Sequence, residues 1–305
     1  MVFEEMEYAS LNARIKGLKS ELITENQMKA LIEAKNLEEF RAILERTAYK
    51  SIILELKERE LSAFTLEQSI KRSFAKLLPK ALVFAPGTTR NFRNILLKKF
   101  EADSLKTILK IKTAKIVAEE AIWYKPIPVG LLDETFINKM LCAATVEEIV
   151  NFLVATDYGP ILKEALRKYE KVGTTLPIDF ALDSYILEKL WTRSSELLGV
   201  DRQIARSLIG MEIDITNIIT LLRCKMSGLT SKETEEYLIQ IFSRIDENIM
   251  KRAIAADRVE DAINELMTTF YSATLSEGLK KYKDFHSLFA FESVLNQHLA
   301  YKFHQ

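Results

Sequence analysis

The chain has 305 residues, with 43 basic and 43 acidic side chains, so its formal net charge at pH 7 is zero. A content of 48% hydrophobic and 28% charged residues is typical of a globular protein with a sizeable core, and it excludes disordered and fibrous classes. The longest stretch without a charged residue, 267–276, is shorter than the roughly 18 residues that a transmembrane helix needs. The acidic N-terminus does not resemble a signal peptide, and we expect a cytoplasmic location.

With 9 Gly and 6 Pro in the whole chain, helix-breaking residues are scarce, and the sequence predicts an all-α fold. One pattern occurs three times, at Leu37–Tyr49, Val146–Tyr158 and Val259–Tyr271. Each copy begins with an aliphatic residue, Glu and a second acid, continues with Leu and Thr on the same helical face, and ends with Tyr. The copies start 109 and 113 residues apart, which indicates an internal repeat.

The repeated segment is predicted to be an amphipathic helix with one buried face. Its start is marked by three candidate N-caps, each with an acid three residues later: Asn36 with Glu39, Thr145 with Glu148, and Asp257 with Glu260. Acids in a first turn are stabilised by the helix dipole, so they need no catalytic explanation. The Thr hydroxyl is expected to bind a free carbonyl of the last turn, and the Tyr ring to pack on the next element.

Two further features recur in each third of the chain. A closing helix is marked by Phe64, Phe180 and Phe289, and an opening helix by Asn12, Asn94 and Asn217. These markers predict three helical modules, 1–86, 87–210 and 211–305. Gly159 and Pro160 are predicted to stop the second repeated helix, and the helical run from Phe180 is predicted to continue to the neighbourhood of Gly210.

Motifs for enzymatic chemistry are missing from the sequence. It contains no GxGxxG or GxxxxGK[ST] phosphate loop, and its histidines (His286, His298, His304) have no metal-ligand spacing. Cys142 and Cys224 are expected to be buried small hydrophobes in a reducing cytosol. A nucleophile pair of Cys142 and His298 is an alternative, but a single His on a terminal amphipathic helix is more often a packing or surface residue. We therefore predict a non-catalytic protein with no cofactor, metal or small-molecule substrate.

Charge is distributed unevenly along the neutral chain. From Lys71 to Lys115 there are twelve basic residues against two acids, Glu101 and Asp103. Such a block suits an acidic partner or anionic headgroups, although a solvated helix face is the more common explanation of such a pattern. The candidate partner-binding residues are Arg90, Arg93, Lys98 and Lys99. No nucleic-acid-binding motif accompanies them, so nucleic acid is not an expected partner.

Three segments carry a resemblance to a known family. They are Tyr8, Asn12-Ala-Arg14 and Leu18-Lys-Ser in the opening helix, the repeat at Leu37–Tyr49, and the stretch that runs from Asp214-Ile-Thr-Asn217 to Gly228-Leu. The chain resembles the C subunit of the archaeal-type (A-type, or bacterial V-type) ATP synthase, the counterpart of the d subunit of the vacuolar ATPase. The first module departs from the pattern, because its opening lacks the Asp/Asn-x-x-Asn form seen at Asn91 and Asp214.

The resemblance implies a fold, a role and a set of partners. The three modules would form a funnel with approximate threefold symmetry, peripheral to the cytoplasmic face of the cell membrane. The funnel would receive the axle subunits D and F and rest on the membrane rotor ring of c (K) subunits, coupling ring rotation to ATP synthesis or hydrolysis without a catalytic site of its own.

Two other functions are compatible with an all-α repeat protein. A helical-repeat adaptor would bind a peptide or helix, but such repeats are usually about 20 to 50 residues long, and these are much longer. An enzyme of unrecognised type would need a deep pocket with convergent polar groups in one module.

Overall fold

The fold is all-α, as predicted. The computed structural model describes residues 8–56, 62–114, 126–285 and 288–304, and within those ranges no strand is formed beyond an isolated bridge between Val129 and Leu132. Two compact units are present, residues 1–155 (the first unit) and 156–305 (the second unit). The unit boundary lies inside the second predicted module, and the two borders between the three modules stay a prediction.

The helices of the first unit are α1 Ala9–Ser20, α2 Glu25–Glu33, α3 Leu37–Leu44, α4 Lys50–Glu55, α5 Ala63–Leu82, α6 Arg90–Thr113, α7 Glu134–Cys142 and α8 Val146–Phe152, with a 3-10 turn at Gly87–Thr89 before α6. Those of the second unit are α9 Gly159–Val172, α10 Leu176–Ser194, α11 Gly199–Met226, α12 Ser231–Glu235, α13 Glu247–Ala255, α14 Val259–Leu266, α15 Ser272–Phe285 and α16 Phe289–His304.

The three repeated segments form the short helices α3, α8 and α14, and each helix begins at the first residue of its pattern. The Leu of the pattern is buried in all three copies, at Leu44, Leu153 and Leu266. The first position is less buried than predicted, since Leu37 is 48% exposed. A helix as short as these gains most of its stability from the packing of its buried face.

The N-caps are confirmed for two of the three copies. The side chains of Asn36 and Thr145 accept the backbone N–H groups of Glu39 and Glu148. In return, both glutamates accept the N–H of the residue before the cap, rather than that of the cap itself. The third prediction is wrong, because the N-cap of α14 is Arg258 and not Asp257. Arg258 instead forms an ion pair with Asp261 in the first turn, at 3.0 Å.

The end of the repeated helix is built as the sequence predicts. The Thr47 and Thr269 hydroxyls donate to the carbonyls of Leu44 and Leu266, at 2.7 and 2.6 Å. Each Thr hydroxyl also accepts the N–H of the Tyr two residues later, and Thr156 does the same for Tyr158. This turn directs the Tyr ring inward, and Tyr158 and Tyr271 are fully buried.

Each unit has its own packed interior. In the second unit, α11 packs against α10, α14 and α16, and its apolar residues join those of α13 to α16 in one core. In the first unit, α6 packs against α7 and α8, and a smaller cluster holds the first repeated helix, with Leu31, Leu44, Ile53 and Leu66 at its centre. The long helices α6 and α11 therefore provide the surfaces against which the neighbouring helices pack.

Two helix boundaries differ from the sequence predictions. Gly159 and Pro160 do not stop the repeated helix, which ends at Phe152, but begin α9 instead. Pro lacks an N–H and has a fixed φ, so it suits the first turn of a helix as well as the position after its end. The run from Phe180 also ends earlier than predicted, at Ser194, and Gly210 lies inside the separate helix α11.

Candidate functional site

The four basic residues proposed from the sequence all lie in the first three turns of α6. Arg90 is exposed, and Arg93, Lys98 and Lys99 are half-buried. Arg90 and Lys99 are nine residues apart, which places them on opposite sides of a helix that turns about 100° per residue. The four residues therefore do not form one face, and their role in partner binding stays a prediction.

Arg93 has an identified structural contact. Its guanidinium donates to the carbonyls of Leu82 and Ala85, at 2.6 and 3.4 Å. These carbonyls belong to the end of α5 and the following turn, where backbone acceptors have no helical partner. Arg93 therefore fixes the turn between α5 and α6.

A buried polar contact, here called the α11 clamp, holds residues 239–244 against α11. The Asp214 carboxylate accepts the backbone N–H groups of Ser243 and Arg244, at 3.0 and 2.6 Å. One turn later, the Asn217 side chain accepts the N–H of Ile239 and donates to its carbonyl, at 2.9 and 2.8 Å. Asp214 and Asn217 are 0% and 1% exposed, so the helix secures the loop through four hydrogen bonds shielded from water.

The first unit contains an equivalent contact, here called the α6 clamp. Glu101 accepts the N–H of Leu131 at 3.0 Å, and Ser104 both donates to the carbonyl of Ile127 and accepts its N–H, at 2.9 and 3.0 Å. Both side chains are buried. Gly130, at φ +57°, lies so close to Glu101 that a Cβ would be 1.7 Å from its Oε1. The α6 clamp thus has the same form as the α11 clamp.

The two clamps correct the alignment of Asn94 with Asn217. The second and third repeated helices start 113 residues apart, and the same interval separates Glu101 from Asp214, Ser104 from Asn217, and Leu131 from Arg244. Asn94 is exposed on α6 and lies ten residues before Ser104, the residue that corresponds to Asn217 at this interval. Pro126 lies 113 residues before Ile239 and has no N–H, which explains why Ser104 binds the next residue, Ile127.

Sequence reasoning did not identify Glu101 and Ser104, because their residue types differ from those of Asp214 and Asn217. A search at the fixed interval of 113 residues, rather than for identical residues, would have found them. In the sequence, Glu101 is noticeable only as one of the two acids in the basic block from Lys71 to Lys115. Its burial and its contact with Leu131 give it a structural role.

Tyr271, the last residue of the third repeat, completes the α11 clamp. Its hydroxyl donates to Asp214 Oδ2 at 3.1 Å. Burial raises the pKa of Asp214, and the donors from Ser243, Arg244 and Tyr271 act in the opposite direction. Burial also raises the pKa of Tyr271, and the neighbouring Asp214 charge adds to that shift. The Tyr271 proton is therefore retained in the clamp over the whole physiological range.

The remaining candidates from the sequence are Cys142, Cys224 and His298. Cys142 is exposed, contrary to the prediction, because it lies two residues after buried Met140 and therefore on the other side of α7. Cys224 is buried as predicted, and burial raises its pKa to about 11. His298 Nδ1 lies 3.1 Å from the Thr274 hydroxyl, and its ring stacks edge-on with Tyr271.

An apolar groove of about 340 Å³ lies in the first unit, between α1 and α5. Its walls include Leu11, Ile15, Phe74 and Leu77, and its charged lining residues are Lys19 and Glu21. Throughout residues 8–56, 62–114, 126–285 and 288–304, no group of three or more His, Cys, Asp or Glu side chains is arranged to hold a metal ion. No helix in the same ranges combines the length and apolarity needed to cross a bilayer.

Comparison with known proteins decides the family. The model of the ATP synthase (C/AC39) subunit family matches residues 11–305. The chain belongs to this family. The resemblance that the sequence segments indicated is thereby confirmed over almost the entire chain.

Several relatives of the chain are proteins named as the C subunit of A-type ATP synthase. The protein from Methanocaldococcus jannaschii is 28% identical over 302 residues, which are 99% of this chain and 75% of the relative. The one from Pyrococcus horikoshii is 26% identical over 279 residues, or 91% of this chain and 72% of the relative. The one from Haloferax volcanii is 25% identical over 284 residues, which are 93% of this chain and 80% of the relative.

Proposed function

We propose that this chain is the non-catalytic central-stalk component of an A-type rotary ATP synthase. In this role it joins the membrane ring of c (K) subunits to the axle subunits D and F, and turns with them. The observation that carries the proposal is the family match over residues 11–305, supported by relatives that bear the name of the C subunit in several archaea.

The clamps support a role in transmitting torque. A coupling protein has to transmit torque between its two binding surfaces without deformation of its loops. In both units a long helix holds the next loop through buried hydrogen bonds to a carboxylate and a second polar side chain. Buried hydrogen bonds to a charged group contribute about 1.5 to 3 kcal/mol each. Loops held in this way move with their helices.

The proposed partners are those that the resemblance implies: D and F on one side and the c ring on the other. A position between ring and axle places the chain at the cytoplasmic face of the membrane, as a peripheral protein. ATP hydrolysis and synthesis then occur in other subunits, and ions cross in the membrane part. The helical-repeat adaptor has no comparable support, since the family match over residues 11–305 is to an ATP synthase subunit.

The proposed partner contacts of α6 can be tested by charge reversal. Arg93 fixes the α5–α6 turn, so its substitution would disturb the fold as well as the surface. The informative variant therefore keeps Arg93 and changes Arg90, Lys98 and Lys99 to Glu. We expect assembly of the complex to weaken at physiological salt. Intact assembly of this variant would show that these residues do not bind a partner.

The proposal itself is tested by co-expression with tagged axle subunits D and F, followed by affinity capture and sizing. We expect a stoichiometric complex that has no ATPase activity until the catalytic head is added. A matched control is the same capture with D and F absent, which detects binding to the resin. Failure of the chain to bind D and F at any salt concentration would contradict the proposal.

A further inference from the structure

The helix α5 has a basic face that the two corresponding closing helices lack. Arg72, Lys76 and Lys80 are spaced four residues apart and therefore lie on one side of the helix. Lys76 and Lys80 are exposed, and Arg72 is half-exposed. The opposite side carries Phe74 and Leu77, which line the groove with α1. A helix with one apolar and one basic side is typical of proteins that bind a membrane surface or an acidic partner.

The basic face leads to an exposed apolar tip. Val83 continues the helical conformation of α5 on the same side as Arg72, Lys76 and Lys80, and it is 74% exposed. Phe84 follows and is 48% exposed. The tip is held in place from both ends, since Arg93 binds the carbonyls of Leu82 and Ala85. The two apolar side chains are thus presented to solvent by a fixed turn.

Along the chain on both sides of the tip, every charged side chain is basic. Residues 68–100 contain eight basic side chains and no acid. The charge of Lys71 is neutralised by an ion pair with Glu67, one turn earlier, at 2.5 Å. The next acid along the chain is Glu101, which is buried in the α6 clamp. The surface therefore offers several cations and two apolar side chains together, as interfacial lipid-binding segments do.

The corresponding helices provide an internal comparison. Phe64 and Phe180 are predicted from the sequence to be equivalent, 116 residues apart. This interval relates Arg72, Lys76 and Lys80 to Glu188, Thr192 and Glu196, in and just after α10. In α16 the first two positions are Gln297 and Tyr301. The α10–α11 turn also exposes Leu198 and Val200, by 70% and 66%. The arginines that follow on α11 are engaged locally, since Arg202 donates to the Leu197 carbonyl and Arg206 to the Ser195 hydroxyl, and the acidic Asp201 lies beside them. The combination of cations and apolar tip belongs to the first module.

We propose that Arg72, Lys76, Lys80, Val83 and Phe84 form a contact with anionic phospholipid headgroups. This inference rests on the proposed function, since it gives a peripheral part of a rotary complex its own contact with membrane lipid. Lipid suits the arrangement better than a protein partner, because a fluid headgroup layer satisfies cations without a fixed register and permits the chain to turn. An acidic protein surface would need a matching pattern of carboxylates.

The test is sedimentation of the purified chain with vesicles of equal parts phosphatidylglycerol and phosphatidylcholine. We expect binding at low salt that weakens as salt is added, and much weaker binding to pure phosphatidylcholine vesicles. Each cation near an anionic surface contributes about fivefold in affinity, so the triple variant Arg72→Gln, Lys76→Gln, Lys80→Gln should bind about a hundredfold more weakly. Replacing Val83 and Phe84 by Ser should cost about tenfold.

Two controls match these variants. Lys163, Lys171 and Lys232 are exposed lysines outside the basic face, and changing all three to Gln removes the same charge. Changing Leu198 and Val200 to Ser removes the other apolar tip. Both controls should bind vesicles like the unchanged chain. The inference is overturned if the unchanged chain does not bind anionic vesicles, or if controls and test variants lose equal affinity.

The outcome is separable from that of the proposed function. Capture by D and F does not involve lipid, and the triple variant should still be captured. Vesicle binding without capture by D and F would contradict the proposed function alone. Capture without vesicle binding would overturn the lipid contact alone, and would leave an acidic protein as the partner of this face.

Discussion

The Tyr271 hydroxyl donates to the Asp214 carboxylate, 3.1 Å away in the interior of the second unit. Tyr271 ends the repeated segment after α14, and Asp214 lies in the middle of the long helix α11. Their contact ties the repeat to the loop that Asp214 holds through Ser243 and Arg244. Tyr271, the last residue of the third repeat, is therefore a structural link between the repeat and α11.

Replacing Tyr271 by Phe should destabilise the second unit. The variant keeps the buried ring but removes a donor from a buried carboxylate, and we expect a loss of about 1.5 to 3 kcal/mol in the free energy of unfolding. Denaturant unfolding followed by circular dichroism measures it. Tyr301→Phe is the control, because Tyr301 is 61% exposed and should change stability by less than about 0.5 kcal/mol. Equal stability of the two variants would contradict the clamp.

Asp214 should also give the protein a distinctive pH dependence. Because burial raises its pKa above the unfolded value of 3.8, the folded state keeps the proton to higher pH than the unfolded state does. Its contribution to stability is then complete below 3.8 and is lost as the pH rises through the folded pKa. Asp214→Asn does not titrate at this position, so comparing the two proteins isolates the effect.

The measurement is the free energy of unfolding of both proteins at several pH values between neutrality and mild acid. The unchanged protein should gain stability relative to Asp214→Asn as the pH falls. The opposite trend would mean that the three hydrogen-bond donors outweigh burial and hold the pKa of Asp214 below its usual value.

Gly130 tests the α6 clamp, with Gly173 as its control. Both glycines have positive φ, +57° and +72°, so Ala at either position costs about 1 to 2 kcal/mol of backbone strain. At Gly173 a Cβ meets no atom within 4 Å, whereas at Gly130 it displaces the Glu101 carboxylate from Leu131. Gly130→Ala should therefore cost about 1.5 to 3 kcal/mol more in unfolding free energy than Gly173→Ala. Similar losses in both would show that Glu101 is not held there.

The two cysteines should differ sharply in reactivity. Cys142 is exposed, while Cys224 is buried with its pKa raised to about 11, so it is not a thiolate at neutral pH. In the folded protein we expect a thiol reagent to label one cysteine, and both after denaturation. Cys142→Ser should abolish labelling of the folded chain. Rapid labelling of that variant would place Cys224 at the surface.

Local patterns in the sequence predict much of this fold. The repeated helix starts where its pattern starts, because a cap residue, acids in the first turn and a buried Leu all act within a few residues. The threonine contacts with Leu44 and Leu266 were predictable for the same reason. Arg258 shows the limit, since its ion pair with Asp261 replaces the cap expected at Asp257.

Features that depend on tertiary contact were harder to predict. Glu101 and Ser104 perform the task of Asp214 and Asn217 with different chemistry, so a search for identical residues fails. The contact of Arg93 with the end of α5 requires knowing that the chain turns back between the two helices. The basic face of α5 was visible as charge, but its combination with the exposed Val83 and Phe84 depends on burial.

The proposed coupling role is tested most directly by comparing ATP hydrolysis with ion transport in membrane complexes assembled with and without this chain. With the chain present, we expect ATP hydrolysis to drive ion movement across the membrane. Without it, the catalytic head should still hydrolyse ATP while ion movement falls to background, and adding the purified chain back should restore it. Undiminished ATP-driven ion transport in complexes that lack the chain would contradict the account.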